Sequence, residues 1–327
     1  MRSYSIIVNE HANEGHTKKI WNQVQDVLNQ RQIQYTAYFT DHPGHAFKIA
    51  KKIAKKITSN DNYENIILTI GGDGTLYDAI NGIKAGSDLN IPIGFIPSGN
   101  KMGFAANIGV ANDPLLALEQ ILNTTEPTLY DIGSYQETTH KKQGYFLNNF
   151  SIGLDAYIIS LANQQKQSKF WKFLKIDFIH FLFRTFEAYL NQEAFSLTVR
   201  MDDHYEFFKK AYLVNVSNHR YFKGSLPLPT EDLIQDQQLE LLIIENMNFF
   251  KYILLSMIVY FRKELKLPSI HRFQKNQLHL TINSLEFYQV DGEEQGNQYL
   301  DIYFKTEKYP FWIDLTSVPR EQRAKKD

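Results

Sequence analysis

The chain has 327 residues, of which 43% are hydrophobic and 22% charged, with a formal net charge of −1. Its length is about twice a usual domain of roughly 150 residues, so two domains are expected, and the near-neutral balance argues against a disordered chain or a nucleic-acid partner. There is no cysteine, which excludes disulfides, thiolate metal centres and a cysteine nucleophile.

The N-terminus enters the strand-like run Tyr4–Val8 at once, without the longer apolar stretch and cleavage site of a signal peptide, so the cytoplasm is the expected compartment. Up to residue 130, β-rich runs at Tyr4–Val8, Tyr35–Phe39, Asn65–Ile70 and Ile91–Ile96 alternate with helical patterns at Thr17–Gln30 and His45–Thr58. Ile20, Val24, Val27 and Leu28 recur at helical spacing in one helix, and Phe47, Ile49, Ile53 and Ile57 in the other. Strand and crossover helix in alternation predict a parallel sheet. The lysines at 51, 52, 55 and 56 read as the solvated face of the second helix.

Past residue 130 the rhythm changes to strands separated by turns: Gly144–Asn149, Phe195–Met201, Ala211–Ser217, Leu239–Ile244, Leu278–Ile282 and Leu285–Val290. This predicts an antiparallel β domain. Two aromatic helices, Phe170–Leu190 and Phe249–Leu265, interrupt it, the second stopped by Pro268. They read either as covers for one end of the β domain or as the walls of an acyl cleft. A membrane-surface edge at Trp171, Lys169, Lys172 and Lys175 is a further reading. Charged residues break both helices before about 20 clean apolar residues accumulate, so no membrane span is predicted. The fold class is α/β plus β: a doubly wound, mostly parallel α/β domain over residues 1–130, and an antiparallel, β-sandwich-like domain with accessory helices over 131–304. Tyr299–Phe304 and Phe311–Leu315 also read as strands, and the C-terminal segment, about 305–327, is open to returning to the first domain.

Strand Ile66–Ile70 runs directly into Gly71-Gly72-Asp73-Gly74-Thr75, after which Leu76–Ile83 has helix character. Ligands bind α/β sheets at such junctions. Glycines let the backbone approach a phosphate, and the next helix points its amides at the anion. Asp73 suits such a loop if it holds Mg²⁺, which bridges to phosphate oxygens. A tight turn with no ligand would use the same residue types.

The longer stretch Gly71–Ile83 resembles the signature of the diacylglycerol kinase catalytic-domain family, whose bacterial branch includes lipid kinases and whose wider superfamily includes sphingosine kinases and NAD kinases. Four further segments agree in order: Asn9 ahead of Gly15, Gly94–Gly99, Phe146–Ala156 and Val290-Asp291-Gly292-Glu293. The resemblance implies ATP and Mg²⁺ as cofactors and a lipid hydroxyl as acceptor. It also implies a nucleotide lying between the two domains, gripped by Asn9, Gly71, Gly72, Asp73, Gly74, Thr75, Asp78, Ser98, Gly99, Asn100 and Lys101. Asp291 is implied as the catalytic base, with Glu293 as an orienter or an outer partner of the metal, although Asp291-Gly292 also suits a plain hairpin turn. Asp73 would serve the nucleotide's cation, while Asp232 and Asp236 fall where relatives hold a structural Mg²⁺, in a degraded version of that motif. Bacterial relatives often dimerise, which leaves a homodimer open, and contact with the inner membrane surface is a further implied partner.

Departures gather in the second glycine loop. Asn100, Lys101 and Met102-Gly103 stand where the family usually has threonine, glycine and an Asn-Asp pair, and Tyr77-Asp78 replace the usual Asn-Glu. Losing positioned donors in a phosphoryl-transfer site costs on the order of 10² to 10³ in rate each. A nucleotide- or lipid-binding sensor without turnover is therefore the second reading. An NAD kinase-like enzyme, suggested by Gly99–Phe104, is the third.

Overall fold

The computed structural model describes residues 2–58, 65–98, 103–164, 186–218, 236–260, 267–319 and 323. The chain divides into two compact units, Met1–Ile132 with Lys308–Asp327, and Gly133–Glu307.

In the first unit β1 (Ser3–Val8), β2 (Gln34–Phe39), β3 (Asn65–Gly71) and β4 (Ile93–Pro97) form a parallel sheet in the order β2-β1-β3-β4. The apolar runs of β3 and β4 are buried throughout, apart from Asn65, as expected for strands covered on both faces. α1 (His16–Gln30) lays Trp21, Val24 and Leu28 inward, and α2 (His45–Ala54) does the same with Ile49, Ala50 and Ile53. α2 lies against α3 (Asp73–Gly86) at unusually short range, because a Cβ on Gly82 would sit 2.3 Å from the Phe47 carbonyl oxygen and one on Gly86 2.6 Å from that of Lys51. Two helices not anticipated from the pattern follow, α4 (Gly103–Asn107) and α5 (Pro114–Leu122). The start of α5 is fixed by Asp113, whose carboxylate accepts from the Leu115 and Leu116 amides just ahead of and beside Pro114. The segment from Lys308 brings Tyr309, Phe311 and Trp312 into this unit's core, where the Trp312 amide donates to the Ile93 carbonyl at 2.8 Å.

The second unit is a large antiparallel β-rich region. It contains β5 (Thr128–Glu137, from Gly133 onward), β6 (Lys142–Phe146), β7 (Asn149–Gly153), β8 (Phe195–Met201), β9 (His204–Ser217), β10 (Leu239–Glu245), β11 (Ile270–Lys275), β12 (Gln277–Val290) and most of β13 (Glu293–Phe311). The order β11-β10-β9-β7-β12-β13 is antiparallel at each junction, with β8 pairing both β12 and β9. Phe150 anchors the core, stacked on Tyr288 at 5.4 Å and edge-on to Phe304 at 5.0 Å.

Three expected elements are corrected. The strand over Gly144–Asn149 is two strands, because the chain leaves the ladder at Leu147 and Asn148 to present their amides to Asp291. The expected pair Leu278–Ile282 and Leu285–Val290 is one strand, β12, in which the polar break is absorbed by an irregularity between Ile282 and Glu286. Strand structure ends at Phe311 and does not extend to Leu315. Of the helix expected over Phe170–Leu190, residues 186–191 are helical and 165–185 lie outside the described residues. α6 (Leu154–Gln164) was not anticipated, and α7 (Phe249–Tyr260) covers the described part of the second aromatic helix. Among the described residues, no helix is long and apolar enough to cross a membrane.

Candidate functional site

In the first unit Asn9, Gly71 and Ser98 follow the carboxyl ends of β1, β3 and β4, the edge at which parallel sheets take ligands. The Asn9 amide donates to the Ile70 carbonyl and the Ser98 amide to the Gly71 carbonyl, each at 2.9 Å, so the three strand ends are pinned together. From this position the Asn9 side chain donates through Nδ2 to Thr75 Oγ1 at 3.1 Å.

Gly71 and Gly72 differ in what they require. A Cβ on Gly71 would lie 2.5 Å from Thr75 Oγ1, so the tight exit of β3 into α3 excludes any other residue there. Gly72 is extended, at φ −89° and ψ 178°, and a Cβ on it would meet nothing within 4 Å. The space over its Cα is open, beside the first turn of α3, where backbone amides point outward and the helix dipole favours an anion. The buried Ser98 Oγ, 2% exposed as a residue, has no hydrogen-bond partner among the described residues. Open space, amide donors and an unsatisfied hydroxyl fit a phosphate group. Asp73 begins α3, and its Oδ2 accepts the Gly103 amide at 2.9 Å, tying the loop to the start of α4. A carboxylate there also fits the cation that accompanies a nucleotide's phosphates. Gly74 and Asp78 lie on the first turns of α3. Gly99, Asn100 and Lys101 lie outside the described residues.

In the second unit Asp291-Gly292 is a two-residue turn joining β12 to β13, with both residues left-handed at φ 50° and 89° and Val290 paired to Glu293. The turn is bound to the chain ahead of β7. Asp291 Oδ2 accepts the Leu147 amide at 2.6 Å, and Oδ1 accepts those of Asn148 and Asn149 at 2.7 and 2.9 Å. In return the Asp291 amide donates to the Asn149 carbonyl at 2.9 Å. Three amide donors stabilise the charged carboxylate. Gln289 completes the turn, accepting the Gly292 amide through Oε1 at 2.6 Å and reaching Asp155 through Nε2 at 3.3 Å. Glu293 is exposed.

Sequence reasoning missed the Leu147-Asn148-Asn149 amide clamp, since backbone donors carry no residue-type signal. Gln289 could have been found, because a buried glutamine two residues before Asp-Gly needs partners for both its ends. Of the proposed structural metal ligands, Asp232 lies outside the described residues, and Asp236 is exposed with its Oδ1 accepting the Gln238 amide at 3.0 Å. A cavity of about 530 Å³ in the second unit lies elsewhere. It is lined at the Gln277 end of β12 by Tyr135, Tyr145, His279 and Tyr303, whereas Asp291 follows the opposite end of that strand.

A glycine-rich strand-to-helix junction at the carboxyl edge of a parallel sheet, with an antiparallel β-rich unit following in the chain, is a frame in which nucleotide phosphates can be held. Residues 3–134 match the family model described as the diacylglycerol kinase catalytic domain, which supports the family resemblance carried by the motifs. Among curated relatives, "Putative lipid kinase YtlR" of Bacillus subtilis (strain 168) is 25% identical over 299 residues, covering 90% of this chain and 94% of that protein. "Sphingoid long chain base kinase 4" of Schizosaccharomyces pombe is 27% identical over 162 residues, 48% of this chain and 34% of that protein. A crystal structure titled as a putative diacylglycerol kinase from Bacillus anthracis str. Sterne shares the fold, with a TM-score of 0.71, 97% of each chain covered and 19% identity.

Proposed function

We propose that this chain is an ATP- and Mg²⁺-dependent lipid kinase that transfers the γ-phosphate to a hydroxyl of diacylglycerol or a similar lipid, at the inner surface of the membrane. The observation that carries the reading is the open space over Gly72 at the head of α3, beside the first turn of that helix. In this reading the first unit is the doubly wound nucleotide-binding half and the second is the sandwich-like acceptor half.

The residues divide the work as follows. The loop Gly71–Thr75 receives the phosphates at the turn around Gly72 and Gly74, and Ser98 Oγ donates to one of their oxygens. Asn9 holds Thr75 in place through its 3.1 Å hydrogen bond. Asp73 and, further along the helix, Asp78 face the nucleotide, Asp73 being the residue that would hold Mg²⁺. When bound, the cation supplies neutralising charge to the phosphates. Asp291 takes the proton of the attacking hydroxyl, kept ionised and aimed by its three amide donors. Glu293, beside it and exposed, orients the acceptor. Asp232 and Asp236 would hold a second, structural Mg²⁺.

The test is transfer of label from γ-labelled ATP to a lipid extract, with NAD present in the same reaction, for the unmodified chain and for Asp73→Asn. Labelled phospholipid that falls at least about 10²-fold in the variant supports the proposal. Nucleotide binding with no labelled acceptor overturns it in favour of a binding-only relative, and labelled NAD overturns it in favour of an NAD kinase-like enzyme.

A further inference from the structure

Away from the glycine loop, three metal-ligating side chains converge where β2 hands over to α2. The Thr40 amide donates to the Val8 carbonyl at 2.9 Å and ends the sheet pairing. The chain then passes through Asp41, His42 and Pro43 to Gly44, which is left-handed at φ 76°, and α2 begins at His45. This turn brings one ligand atom each of Asp41, His42 and His45 within 4.8 Å of one another. The two imidazole rings stack at 4.6 Å with planes 16° apart. Both meet Asp41 Oδ1, His45 at 2.7 Å and His42 in a still shorter contact.

Two ring nitrogens and a carboxylate oxygen thus share one focus, at which each ring, with its proton on Nε2, would offer a lone pair beside the negative Oδ1. A divalent ion at that focus would take all three as ligands. We propose that Asp41, His42 and His45 form a site for a borderline divalent metal of the zinc class. Two imidazoles and one carboxylate suit Zn²⁺, Ni²⁺ or Cu²⁺, whereas Mg²⁺ and Ca²⁺ prefer oxygen alone. Asp41 and His42 are exposed and His45 is partly so, which leaves the remaining coordination positions to water. Ligands about 2.0 Å from a tetrahedral ion sit roughly 3.3 Å apart, so His45 Nδ1 must draw back from Asp41 Oδ1 by roughly 0.6 Å and His42 Nδ1 by more, small motions for side chains at the surface.

One neighbour opposes the ion. Lys48 Nζ stands 3.2 Å from His42 Nε2 and as an ammonium holds that nitrogen unprotonated, which places the ring proton on Nδ1, where the metal would bind. Removing this lysine frees the tautomer that coordinates.

The experiment is calorimetric titration of ZnCl₂ into the chelator-treated full chain with Mg²⁺ in excess, alongside thermal melts of each variant. One zinc site per chain is expected, weakened at least about tenfold in His45→Ala and in Asp41→Asn, and tightened in Lys48→Ala. Unaltered zinc binding in the His42→Ala/His45→Ala double variant, displacement by Mg²⁺, or failure of Lys48→Ala to tighten binding overturns the assignment. The result is independent of the kinase reading, because none of these residues belongs to the glycine loop.

Discussion

Asp291 and Asn149 hold each other through two backbone-anchored hydrogen bonds: the Asn149 amide donates to Asp291 Oδ1, and the Asp291 amide donates to the Asn149 carbonyl, both at 2.9 Å. The residue proposed as the base is therefore also the peg that fastens the β12–β13 turn to the entry of β7. Asp291→Asn separates the two roles. Asparagine tolerates the left-handed backbone, but its NH₂ would face an amide that now donates to a carboxylate oxygen. The expected cost is about 1–3 kcal/mol in urea unfolding. Well below the melting temperature, where the variant is still folded, a fall of about 10² to 10⁴ in phosphate transfer is expected if Asp291 is the base. Lost stability with full turnover would leave it a structural peg only.

Gly71 and Gly72 are neighbours with opposite expected responses. Gly71→Ala forces a methyl to within 2.5 Å of Thr75 Oγ1 and should destabilise the fold by about 1–3 kcal/mol. Gly72→Ala meets no protein atom, so its melting temperature should stay near that of the unmodified chain while nucleotide affinity falls, because the methyl enters the open space over α3. Nucleotide binding unaffected by Gly72→Ala would argue that no phosphate sits there.

Asn9→Asp keeps shape but adds charge. Thr75 can reverse its role and donate to the new carboxylate, so the strand ends stay joined and the fold should hold. A second negative group beside the glycine loop should weaken nucleotide binding in an ionic-strength-dependent way. Equilibrium binding of ATP at low and high salt checks this.

Glu286 provides a pH test within the second unit. Burial raises its carboxyl above the usual range, and hydrogen bonds from Ser284 at 2.7 Å and Gln192 at 2.9 Å only partly offset this, with Glu193 adding to the rise. For an acid whose folded pKa is raised, the folded state binds more protons than the unfolded one between the two values. Stability is then lost as pH rises from 4.5 through the folded value. Glu286→Gln, which can still accept from one partner and donate to the other, should raise the melting temperature at neutral pH. The gain should fade as the pH falls below 4.5. A gain that is constant across pH would mean that charge burial is not its source.

Local pattern predicted most of the first unit, α4 and α5 apart, because β1, β3 and β4 are short and apolar and the helices α1 and α2 show a clear inward stripe. It was less successful in the second unit. β9 runs for 14 residues from His204, but only its end Ala211–Ser217, buried at all but one position, is apolar enough to be recognised. β11 was missed because its His-Arg-Phe-Gln-Lys pattern is polar at an edge where one side faces water.

By itself the sequence determined the glycine loop, since glycines between a buried strand and a helix start can be read from residue type, and it determined the order of motifs that carries the family resemblance. Only the tertiary structure decided that Gly71 is a steric necessity while Gly72 is an opening, that Asp291 is clamped by three amides, and that Asp41, His42 and His45 share one focus. The reason is physical: backbone amides, free volume and the meeting of side chains across a turn depend on where the chain has been brought. A residue's identity restricts its own bonding but does not name its partners.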